Sequence, residues 1–177
     1  MIDDLKYIHD HDSVDALGRA AKRWPALALN WLPTVPAWKN YAKQLALDCI
    51  GKRLVIYSGP ELAAAAGAWE ASFRAVAGRQ ARAVVLPKAE LPMEAPAEHG
   101  KAYAVIMLRS GFEDTEVAAC FAALESELAG SWTLPVVIQA AGDNLEAQQQ
   151  WCTALGDFVT IYTALLSGLD PSANRLT

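Results

Sequence analysis

Three cysteines in 177 residues, Cys49, Cys120 and Cys152, are too few and too widely spaced for a disulfide framework or a zinc site. Each sits in an apolar helical pattern and is expected to be a small buried hydrophobe. Histidine is as scarce. His9 and His11 alternate with Asp10 and Asp12, with no His or Cys nearby in sequence to complete a metal site, so a solvated segment is expected there. No apolar run reaches the roughly 18 residues that span a bilayer. Positive charge is in deficit, 15 Lys and Arg against 20 Asp and Glu, and the net charge of −5 disfavours nucleic acid and anionic membranes as partners. There is no Walker loop, no GxGxxG and no nucleophile elbow, and no cofactor is expected. The charged opening MIDDLKYIHDHD is unlike a signal peptide, so the expected location is the cytoplasm.

What is present is apolar and periodic. With 53% hydrophobic and 20% charged residues the chain is globular. The sharpest pattern runs from Asp143 to Pro171. Trp151, Cys152, Leu155, Phe158, Val159, Ile161, Tyr162, Leu165 and Leu166 spread over about half a helix circumference at 100° per residue, more than one sheet face requires. Asp143 and Glu146 have capping-box spacing, Gly168 suits the left-handed residue after the last turn, and Pro171 stops the helix. Gly156 in mid-helix costs about 1 kcal/mol relative to Ala unless a close approach offsets it. A second packing surface is therefore expected on this helix.

Upstream, Ser13 is a candidate N-cap for a short helix that Pro25 breaks, and Leu27, Leu29, Trp31, Leu32 and Trp38 make an apolar arm punctuated by Pro33 and Pro36. That arm must lie against the domain or a partner. Residues 1–37 are read as this arm and 38–177 as the domain. In the domain, continuous apolar runs at Leu54–Tyr57, Ala83–Leu86, Tyr103–Leu108 and Val136–Ile138 alternate with helical patterns from Trp38 to Cys49, Glu61 to Ala77 (where Gly67 suggests close packing) and Asp114 to Ala129. This predicts an α/β three-layer sandwich with a parallel sheet of four or five strands. Ligands of such sheets lie beyond the carboxyl ends of the strands, here near Ser58, Pro87, Arg109 and Ala140. The Pro- and Glu-rich segment from Pro87 to Gly100 fits neither period and is expected to be a loop.

NYAKQLALDCIGKRLVIYSGPEL (Asn40 to Leu62), the Trp69 helix, VIMLR (Val105 to Arg109) and LGDFVTIYTALLSGLDP (Leu155 to Pro171) resemble the C-terminal domain of the bifunctional phosphoglucose/phosphomannose isomerases, of the sugar isomerase (SIS) superfamily. The resemblance covers residues 38 to about 172. It implies a flavodoxin-like fold and aldose–ketose isomerisation of glucose and mannose 6-phosphates, completed by an N-terminal SIS domain that carries the phosphate loops. It also implies an Asn-Glu-Asn motif whose Glu moves the substrate proton. Counted from Trp69, that place holds Arg74, Ala75 and Val76. The family's His-bearing loop aligns with Pro87 to Met93, where no His or Asn occurs, and its Lys falls past Thr177. Ser172 matches a hydroxyl position.

The remaining acid–base candidates are Glu94 and His99, with Glu98 beside them, against the plainer reading of a loop with exposed carboxylates. Ser58 and Gly59 open a strand-to-helix junction whose free amides suit an anion, although Glu61 repels one and a tight turn explains the same residues. Arg74, Arg79 and Arg82 lie close in sequence and suit a phosphate; a solvated face is the alternative. Two functions follow: an isomerase domain active only with an N-terminal SIS domain or partner, or a non-catalytic domain that binds a phosphosugar or a protein. The broad helix and the Trp-rich arm predict a homo-oligomer, a dimer in the simplest case, or association with a separate SIS domain.

Overall fold

A computed structural model of the chain describes residues 24–87, 103–129 and 134–172. His9, His11, the helix expected from Ser13, and Glu94, Glu98 and His99 lie outside the described residues. The four strands described are β1 (Arg53–Ser58), β2 (Ala81–Val85), β3 (Tyr103–Arg109) and β4 (Val136–Gln139), all parallel in the order β2-β1-β3-β4. The helices are α1 (Tyr41–Cys49), α2 (Ala63–Ala75), α3 (Thr115–Ala129) and α4 (Leu145–Leu166). Successive residues of each strand point to opposite faces, which is why the runs are apolar throughout. Leu54, Ile56, Ala104, Ile106, Leu108 and Ile138 share one core with α1, α2 and α4. Val55, Tyr57, Val84, Val105 and Met107 share the other with Val117, Phe121, Leu124 and Leu128 of α3. The result is a three-layer α/β sandwich.

The circumference of α4 is covered within the chain. Residues 152 to 164 are buried all round apart from Thr153 and Asp157, the nominally polar Thr160 and Thr163 included. Thr163 solves its polarity locally, its hydroxyl donating to Val159 O at 2.8 Å. The arm supplies the second packing surface. Trp31, 5% exposed, sits edge-on to Trp151 at 5.7 Å and against Phe158 at 5.8 Å. Tyr162 donates its hydroxyl to Trp31 O at 2.6 Å, and Trp24 donates its indole N–H to Asp157 at 3.0 Å. Lys43 of α1 fastens the same arm, its ammonium donating to Pro33 O at 2.7 Å and Val35 O at 2.8 Å, and burial lowers its pKa. The apolar stripe that predicted an oligomer is thus satisfied by intrachain packing.

Two local expectations need correction. The N-cap of α4 is Asn144, whose side chain accepts from Ala147 N at 2.9 Å, one residue beyond Asp143; Glu146 accepts from Gln150 instead. Asn and Asp cap almost equally well, so adjacent copies of the two are ambiguous in sequence. Gly67 packs against nothing, since a Cβ there would have no neighbour within 4 Å. At the other end of α4, Gly168 (φ 70°) places Leu169 N–H on Ala164 O and its own N–H on Leu165 O, a complete Schellman closure.

Candidate functional site

After β1 the chain turns to β2 on one side, and after β3 to β4 on the other, so the topological switch lies between β1 and β3. In open α/β sheets the crevice for a ligand opens there, beyond the carboxyl ends. Beyond β3 the described side chains satisfy one another. Glu113 accepts from Ser110 N at 2.7 Å and clamps Arg109 through bonds of 2.7 to 3.0 Å, which raises the arginine's pKa. Gln148, from the first turn of α4, accepts from the Ser110 hydroxyl at 2.8 Å and from Gly111 N at 3.1 Å, and donates to Gly142 O at 3.1 Å.

Ser58 and Gly59 lie at the same crevice. Ser58 is 0% exposed and its hydroxyl has no partner among the described residues. The Glu61 carboxylate folds back over Gly59, where any Cβ would strike it and come within 2.9 Å of Val117 Cγ1. One Glu61 oxygen is buried without a partner among the described residues, so the junction presents negative charge, while the nearby Arg109 guanidinium is taken up by Glu113. The neighbouring Tyr57 hydroxyl is likewise buried and unpartnered among them, and burial pushes its pKa up to about 12. Among the described residues it is the Glu61 carboxylate that opposes an anion here.

Arg74 and Ser172 stand at the opposite end of the sheet. Both α2 and α4 start above the carboxyl ends and run back, and their ends meet where Arg79 donates to Ser167 Oγ at 3.2 Å. At about 3.3 Å per residue, the six residues of β1 put roughly 17–20 Å between the two groups of candidates. Ser172 is exposed, its N–H and hydroxyl both donating to Asp170 at 2.7 Å. Arg74 pairs with Glu70 at 3.0 Å and lines an open groove of about 470 Å3 together with Arg53, Gln80, Arg82 and Tyr103. The arginine trio read in sequence therefore divides, with Arg74 and Arg82 sharing the groove while Arg79 packs toward α4. Glu70, Leu54, Val55 and Ala81 complete the lining. Arg53 and Tyr103 are partners in strand register, a pairing that no local sequence signal encodes.

The profile of the bacterial phospho-glucose isomerase C-terminal SIS domain matches residues 38–176. The chain belongs to that family. A glucose-6-phosphate isomerase like protein from Thermus thermophilus matches this SIS domain with a TM-score of 0.66 and 26% identity, over 93% of this chain and 54% of that one. The chain thus spans about half the length of that protein. An Escherichia coli protein solved in complex with a ligand gives a TM-score of 0.47 at 17% identity, over 90% of this chain and 87% of that one. No curated protein matches the sequence.

The position that the resemblance gives to Asn-Glu-Asn is the end of α2, at Arg74, Ala75 and Val76. The carboxylate one turn away is Glu70, and both its oxygens are engaged. One takes Arg74, and the other takes Ala83 N at 2.7 Å on the outer edge of β2. Removing Glu70 from that role would uncap an edge strand. Among the described residues no helix is long and apolar enough to cross a membrane, and no three His, Cys, Asp or Glu side chains group to hold a metal ion.

Proposed function

We propose that this SIS domain binds hexose 6-phosphates as part of an aldose–ketose isomerase, and that a separate SIS domain or a further subunit completes the proton-transfer machinery. Membership of the phospho-glucose isomerase C-terminal family supports the substrate class. The resemblance puts the proton-moving Glu at Ala75, and the observation that supports the division of labour is that Glu70, the carboxylate one turn away, is tied to Arg74 and Ala83 N. A positioned base is typically worth about 10²–10⁴ in rate, so its absence is not made good by binding alone. A cytoplasmic location and assembly as a dimer or with a separate SIS domain belong to the same proposal.

The second reading, a non-catalytic phosphosugar- or protein-binding domain, is favoured by the way Glu113 and Gln148 take up the polar groups at the carboxyl end of β3. One assay separates the two. The purified chain alone is expected not to interconvert glucose, fructose and mannose 6-phosphates, and turnover is expected on adding the complementary SIS domain of the same organism. Turnover by the chain alone that is lost in Glu94→Gln or His99→Ala would overturn the division of labour. Continued silence with the complementary domain present would leave the non-catalytic reading.

A further inference from the structure

On an acidic chain, three guanidiniums gather at the amino ends of β1 and β2. Arg53 opens β1, Arg82 lies opposite Val55 in β2, and Arg74 reaches over from α2. Two of the three are braced. Arg74 is held by Glu70, itself anchored on the backbone of β2, and Arg53 donates to the Tyr103 hydroxyl at 3.4 Å with its guanidinium 5.9 Å from that ring. Neither Arg53 nor Arg82 has a carboxylate within ion-pair distance among the described residues. The groove thus sets three guanidiniums against one carboxylate around about 470 Å3, a volume within the usual range for small-molecule sites.

We propose that this groove is a phosphate-monoester site, seated at the amino ends of the strands and separate from the crevice between β1 and β3. Exposed single ion pairs contribute little, so one arginine would not make a site. A phosphate dianion, however, offers three terminal oxygens to guanidinium forks arriving from β1, β2 and α2, whereas a carboxylate offers two oxygens and a single charge. Gln80 and the Tyr103 hydroxyl supply neutral groups for the hydroxyls of an attached sugar. The assignment rests on the sugar-phosphate reading above for its ligand class and adds a second phosphate site, apart from the one that the reacting sugar occupies beyond the carboxyl ends.

The test is calorimetric titration of the full chain with inorganic phosphate, fructose 6-phosphate and acetate at low salt. Phosphate and fructose 6-phosphate are expected to bind and acetate not, with affinity falling as ionic strength screens the groove. Arg53→Gln and Arg82→Gln, both at exposed side chains, are each expected to weaken fructose 6-phosphate by about tenfold with an unchanged melting temperature in the absence of ligand. Ser58→Ala is expected to bind like the wild type. If fructose 6-phosphate binds the wild type and both arginine variants equally, the groove assignment falls while the sugar-phosphate reading stands. Acetate binding as tightly as phosphate also overturns it. If no probe binds the wild type, the groove assignment falls, while the sugar-phosphate reading is decided by the turnover assay with the complementary domain.

Discussion

Gly156 stands where the indole of Trp69 crosses α4, close enough that any Cβ would overlap its Nε1 and Cδ1. The indole N–H donates to Cys152 O at 2.7 Å, so the ring cannot slide away without breaking a buried bond. Overpacking of this kind costs typically 1–3 kcal/mol and more where the neighbour is rigid. Gly156→Ala is therefore expected to destabilise by about 3 kcal/mol and to lower the melting temperature by roughly 6–12 °C. Gly67→Ala, in an exposed helical position with open space around it, is expected to stabilise by about 0.5–1 kcal/mol. Paired denaturation curves read both signs.

The cysteines give a pH prediction. Burial pushes the Cys49 and Cys152 thiols up to about 12 from an ordinary value of 9.0. With folded values above unfolded ones, the thiols' contribution is fully present below pH 9 and is lost as pH rises from 9 toward 12, because the unfolded chain ionises first. Urea midpoints are expected to be level with respect to these groups up to about pH 8.5 and to fall above it. The Cys49→Ala, Cys152→Ala pair should flatten that fall.

At the scale of elements, the arm and α4 form one packing unit. Trp31→Ala removes a buried indole lodged between Trp151 and Phe158 and is expected to cost about 3–5 kcal/mol, whereas Tyr162→Phe, which leaves Trp31 O without its donor, should cost about 1–2 kcal/mol. Equilibrium unfolding in guanidinium checks the order. The sequence pattern made much of this legible. Each strand lies within two residues of its apolar run, and the breadth of the α4 stripe announced a second neighbour. What covered it was open between arm and partner, because a helix records how much of its surface is buried but not by what. The Asn144 cap was obscured by an adjacent Asp of almost equal capping strength. The Arg53–Tyr103 pairing and the engagement of Glu70 by the edge of β2 depend on register and layer order, which no local period carries.

At the scale of the molecule, the candidate residues separate onto two ends of one sheet. Ser58 and Gly59 form a junction above β1 over which Glu61 folds, its backbone carbonyl accepting from Gln149 of α4, while Arg74 lines the open, basic groove below. Because α1, α2, the arm and one sheet face all converge on α4, that helix is the hub of the larger core. A chain stopped at Asn144 is expected to show no near-ultraviolet circular dichroism and rapid proteolysis, the behaviour of a chain without fixed packing. A folded truncated chain would refute this account of the core.

The hydrogen bond from Tyr162 to Trp31 O joins residues 131 apart. During synthesis at about 5–20 residues per second, Trp31 waits roughly 7–26 s for the helix that shelters it. For that interval Trp24 and Trp31 travel on the nascent chain without their final cover, and so the arm that completes the fold is also a segment open to a ribosome-associated chaperone.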